Sequence, residues 1–158
     1  MAPLVTSDRL PDGTPHYAAT CERELIGAAL LCEPSDVLAV TLGPHDFRDR
    51  DLGIIWAAIQ RAAAQGNPGI PVTAWELDKV GELDKVGAEV LLAKLAGQAL
   101  VEQAFPHLTL LTHPQIIHEW AVRRAGLEQA QTMARRAMNG ETGGRGVSFD
   151  YREATPNV

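Results

Sequence analysis

The apolar positions of this chain recur mostly at steps of three and four, the period of one helical face. The first such run follows Thr20, which is placed to N-cap a helix with Glu22 and Glu24 near its positive end. Cys21, Leu25, Ala28, Ala29 and Cys32 share its inner face, and Ile26 and Leu30 broaden it. Gly27 costs this helix roughly 1 kcal/mol against alanine, which points to the close approach of another helix. Pro34 is expected to end it, and Ser35-Asp36 to cap a short helix through Leu42. After the Gly43-Pro44 break, Phe47 is a core anchor. The clearest periodicity is Leu52, Ile55, Trp56, Ile59 and Ala63, a third helix closed by Gly66.

The pentapeptide LDKVG then occurs twice, at 77–81 and 83–87. A period of six suits neither a helix nor a solenoid, so the pattern reads as one word in two roles rather than a repeat. The first copy ends a helix that Thr73 caps, anchored by Trp75 and Leu77, with Gly81 as left-handed terminator. In the second copy Leu83 and Val86 fold onto the core, and Gly87 precedes a helix from Ala88 to Ala96 that buries Ala88, Val90, Leu91 and Leu95. From 97 to 112 the pattern is irregular, with a helical stretch at 99–104 and with Leu108, Leu110 and Leu111 covering the core. Pro114 is well suited to open the longest helix, Pro114 to Met138, whose apolar side runs Ile116, Trp120, Leu127, Ala130, Ala134 and Ala137. Its second half is alanine on that side, which permits close helix packing but buries little area per residue, and no later segment offers a mate.

The expected fold is therefore all-α. Five to six short helices form a compact bundle, followed by one long C-terminal helix. Residues 1–19 read as a flexible arm, 20–139 as the helical domain, and the glycine-rich 140–158 as a flexible tail in which Phe149 and Tyr151 could dock on a partner. A chain of 158 residues suffices for one domain with a real core.

Charge narrows the function. The net charge of −6 leaves no global basic field for nucleic acid. Four arginines (Arg123, Arg124, Arg135, Arg136) do make the last helix mildly basic, but Glu119 and Glu128 interrupt them, so direct DNA contact is not the expected role. Cys21 and Cys32 share a helical face yet lie roughly 16 Å apart along the axis, whereas a disulfide needs Cα atoms within about 7 Å. They read as buried, reduced thiols. With no signal-peptide core and no long apolar run, a cytoplasmic chain without a membrane span is expected.

Catalytic patterns are missing. His118-Glu119 begins an HExxH-like string but lacks the second histidine, and neither cysteine has a CxxC partner. Gly140 to Gly146 lacks the GxxxxGK[ST] spacing of a phosphate loop. Glu22, Glu24 and Asp46 fit caps and turns better than an acid–base pair. No enzyme activity, cofactor or metal is expected.

The order of several motifs carries a resemblance. Glu22-x-Glu24-Leu25-Ile26-Gly27-Ala28-Ala29-Leu30-Leu31 comes first, then Asp46-Phe47, then Ile54-Ile55-Trp56-Ala57-Ala58-Ile59 running to Gly66. Val72-Thr73, Gly81-Glu82-Leu83-x-x-Val86-Gly87 and Leu91-Leu92-x-x-Leu95-Ala96 follow. Ile116-Ile117-x-Glu119 and Arg123-Arg124-x-x-Leu127 close the series. From Cys21 to Met138 this resembles the N-terminal domain of DnaB-type replicative helicases. The resemblance implies an all-helical head followed by a helical hairpin, contacts with primase and helicase loaders, and no ATPase residues of its own. Ala88 stands where the family's turn has a second glycine, and only the first arm of the hairpin is visible.

The expected function is thus a protein-interaction module of DNA replication. It would bind a replicative helicase or a primase, or form a homodimer, through the last helix, with Ile116, Trp120, Arg123, Arg124, Leu127, Ala130 and Ala134 as partner-binding residues. Two alternatives are the N-terminal fragment of a split or truncated ATP-dependent DNA helicase, and a regulator or inhibitor of the helicase ring.

Overall fold

The computed structural model describes residues 9–84 and 87–140. Among them are six α-helices, a short 3-10 turn at Pro44–Asp46, and a single isolated bridge between Arg9 and Pro15. The chain divides into two compact units, 1–122 and 123–158. The expected all-α architecture, shorter helices followed by one long C-terminal helix, is what forms.

In the first unit, α3 (Arg50–Ala64) is central. It packs against α1 (His16–Ala29), α2 (Pro34–Leu38) and α4 (Ile70–Lys79), while α5 (Ala88–Glu102) lies on α1 and α4. The period read from sequence explains its place: Leu52, Ile55, Trp56, Ile59 and Ala63 are all buried. Asp49 caps it, its carboxylate accepting from the Asp51 and Leu52 amides at 2.9 and 3.3 Å. The Trp56 indole N–H donates to the Leu42 carbonyl at 2.9 Å, so the largest core side chain has no unpaired polar atom. Phe47 stacks on it at a tilt, ring centroids 6.0 Å apart.

Several boundaries differ from those expected. α1 begins at His16, not after Thr20; Pro15 is extended and its carbonyl accepts from the Ala18 amide, starting the helix early. Before it, residues 9–15 form a tight turn in which the Asp12 carboxylate accepts from the Thr14 amide and from Arg48 Nε. At the other end α1 tightens into three-residue bonds, Leu31 to Ala28 and Cys32 to Ala29. Cys32 therefore lies beyond the helix and is half-buried. Pro34 opens α2 rather than closing α1, because the residue before a proline is held extended and proline suits the first helical position. α2 ends at Leu38, short of Leu42.

Thr73 is not a cap. It lies inside α4, buried, its hydroxyl donating to the Pro68 carbonyl at 3.1 Å. Trp75 is not a core anchor either. It is 52% exposed, with the Lys79 ammonium 4.0 Å from its ring centre. Leu77 takes the core position instead. α5 runs through Gly97 to Glu102 and buries Ala88, Leu92, Leu95, Ala96 and Ala99; Val90, expected inside, is 80% exposed. Its inner face is the small-residue stripe, which fits the close approach of α1.

The two LDKVG words are more alike than expected. In the first, the Glu82 amide donates to the Leu77 carbonyl (2.9 Å) and Gly81 to Asp78 (3.0 Å). In the second, Ala88 donates to Leu83 (3.1 Å) and Gly87 to Asp84 (3.2 Å). Both glycines have positive φ, 73° and 58°. This is the Schellman pattern made twice, once ending α4 and once standing before α5. Leu83 packs against the core; the expected role of Val86 lies outside the described residues.

α6 spans Pro106–Met138. It starts eight residues before the expected Pro114, because Pro106 also suits a first helical position, and Pro114 is carried inside at the loss of one backbone bond. Leu110 is buried as expected, but Leu108 and Leu111 are exposed.

Candidate protein-binding surface

The expected partner-binding residues all lie on α6, and the structure sorts them into two groups. In the first unit Leu110, Ile117 and Trp120 are buried, and Ile116 packs half-buried against the same core. Steps of seven and three place Leu110, Ile117 and Trp120 on one stripe. Trp120 was expected on a face without an intrachain mate. It has two neighbours from the N-terminal turn and α1: its indole N–H donates to the Tyr17 hydroxyl at 3.1 Å, edge-on at 78°, and the Arg9 guanidinium lies 5.3 Å from the ring centre. Sequence reading missed both because residues before Thr20 showed no periodicity.

In the second unit Leu127, Ala130 and Ala134 are exposed, Arg123 is exposed and Arg124 half-buried. Leu127, Ala130, Ala134 and Ala137 repeat at steps of three, four and three, so they share one side. Met133 and Met138 add 55% and 85% exposed thioether side chains nearby, which the reading did not name. Methionine adapts its shape to irregular apolar partners, which suits a contact surface.

A second exposed apolar group, also missed, lies in the first unit around the α5–α6 connection: Leu100, Val101, Phe105, Leu108 and Leu111. The period Leu110–Ile117–Trp120 was the signal that would have separated buried Leu110 from its exposed neighbours.

The polar groups considered for chemistry are held in structural pairs. Glu22 is buried and its two oxygens accept from the Arg48 and Asp49 amides at 2.7 and 3.1 Å, pinning the chain before α3. Asp46 accepts from the Gly43 amide at 2.9 Å and lies 3.4 Å from His118 Nδ1. His113 Nε2 lies 2.8 Å from Glu24 Oε1. Buried Glu76 meets Arg61, Gln65 and Lys79. The Lys79 hydrogen bond holds its carboxyl below the usual range, with Arg61 adding to it against the opposing effect of burial. Burial, then the charges of Glu24 and Glu22, pushes the Cys21 thiol to about 11; burial, then Asp36 and Glu33, does the same for Cys32. Neither is a ready nucleophile or thiolate ligand at neutral pH. Among the described residues no group of three or more His, Cys, Asp or Glu could hold a metal ion, and no helix is long and apolar enough to cross a membrane.

Residues 14–109, more than half of the chain, match the family model described as the DnaB-like helicase N terminal domain. The fold is similar to that in the crystal structure of the N-terminal domain of DnaB helicase from Mycobacterium tuberculosis. The TM-score is 0.66 at 23% identity, over 90% of this chain and 96% of that one. No curated protein matches.

Proposed function

The chain belongs to the family of DnaB-like helicase N-terminal domains, and from that membership we propose that it is a protein-interaction module of DNA replication, binding a replicative helicase or primase or pairing with itself. The observation that carries this reading is the exposed side Leu127–Ala130–Ala134 of α6, flanked by Met133 and Met138. Apolar helical surface left open to water is costly and marks contact sites. Arg123 and Arg124 supply polar groups beside it, of the type enriched at interface hot spots. Ile116, half-buried, and Trp120, buried, hold the first part of α6 in place and lie N-terminal to that exposed side. The module works in the cytoplasm, beside the helicase, and contributes no ATPase step of its own.

Co-purification tests the reading. Tagged protein should retain the replicative helicase or the primase from a mixture of purified components, and Leu127→Asp should weaken that retention. If neither is retained and the protein does not self-associate, the reading fails. Adding the protein to an unwinding assay then separates a helper, which raises the rate, from a regulator that lowers it.

A further inference from the structure

We propose that Met133 and Met138 form a modification site: oxidation of their sulfurs by a peroxide switches off the contact side of α6. This regulation presupposes the contact role of Leu127, Ala130 and Ala134. Their positions carry it. Met138 stands four residues after Ala134 and eleven after Leu127, in line with them along the helix. Met133 stands three after Ala130 and four before Ala137, at the edge of the same side. Both side chains are open to solvent, Met138 almost wholly.

The other sulfurs are guarded. The chain carries two cysteines and three methionines. A thiol meets an oxidant as its thiolate. Burial holds the Cys21 and Cys32 thiols at about 11, so almost none of either is ionised at neutral pH. Cys21 is also shut inside the core, and Cys32 is half-buried. A thioether has no proton to lose, so its reaction needs only access. Met1 lies outside the described residues. Oxidation therefore falls first on the two methionines of α6.

The step is balanced. A sulfur lone pair forms an S–O bond to one peroxide oxygen as the O–O bond breaks, and the second oxygen leaves as water. Sulfur is oxidised by two electrons and the peroxide reduced by two. The product sulfoxide is polar and accepts hydrogen bonds, where the thioether offered adaptable apolar surface. Against an apolar partner it is buried unpaired, which weakens binding about tenfold for each such group.

The test treats the full chain with hydrogen peroxide at neutral pH and removes the oxidant before any mixing. Peptide mass mapping should find one added oxygen at Met133 and at Met138, with Cys21 and Cys32 unchanged. Light scattering after size exclusion, on the chain alone and with purified replicative helicase or primase, should show association about tenfold weaker or more after oxidation. Methionine sulfoxide reductases specific for the two epimers should together restore it. Met133→Leu/Met138→Leu, which keeps Met1 and both cysteines, should associate like the unaltered chain before peroxide and after it. Oxygen uptake at the cysteines ahead of the methionines would overturn the site. So would undiminished association of the doubly oxidised chain, or a loss that persists in the leucine variant. An untreated chain that associates with nothing is a separate outcome: it overturns the contact role itself, and this regulation with it.

Discussion

A Cβ added to Gly27 would stand 2.4 Å from the Leu95 carbonyl oxygen and 3.1 Å from the Ala99 Cβ. Backbone cannot yield as a flexible side chain does, so α1 and α5 would have to separate. Gly27→Ala should destabilise the protein by about 2 kcal/mol despite its better helix propensity, read as a lower urea midpoint with unchanged slope. The glycine was legible in sequence as the mark of a close helix; which helix it meets was not, since Leu95 lies far along the chain. Glu76 tests electrostatics in the same way. Its carboxyl is held below the ordinary 4.5 by Lys79 and Arg61, so its contribution is present above that value and lost as pH falls through the folded-state range. Glu76→Gln should lower the thermal midpoint at pH 7, and the gap to the unaltered protein should close as acidification protonates the carboxyl. A gap that stays constant with pH would show that shape, not charge, is what the site needs.

Helices were readable where period, cap and terminator agreed, and misread where one signal had two uses. α3 showed period and terminator in the buried stripe and in positive-φ Gly66, and the structure adds the Asp49 cap, which the reading did not name. Around α6, both Pro106 and Pro114 offer a first helical position, and local sequence does not rank them; packing of Leu110 into the core does. Trp75 was misplaced because size favours burial, yet its position on α4 points it at solvent, where Lys79 covers its face. The duplicated LDKVG shows the opposite case, with local chemistry stronger than context. Since Gly81 and Gly87 occupy the same left-handed site of the same hydrogen-bonded turn, Gly81→Ala and Gly87→Ala should cost alike, about 1 kcal/mol each, measured by chemical denaturation. A large cost at one and none at the other would mean that the two turns do different work.

The first unit closes on its own core, from Cys21 through Ile117. The second presents Leu127, Ala130 and Ala134 to solvent. The alanine-lined stripe was legible in the sequence, but the burial of Trp120 was not, because Tyr17 and Arg9 reach it from about a hundred residues away. Substitutions at the exposed positions should leave the fold intact while removing association. Light scattering after size exclusion, on the full chain and on Leu127→Asp/Ala134→Asp, each alone and mixed with purified replicative helicase and with primase, decides the matter. The unaltered chain should run above the mass of one chain, as a self-associate or in complex, and the double variant should run as a single chain throughout. A monomer that joins neither helicase nor primase, or a double variant that associates as well as the original, would contradict the assignment of this surface.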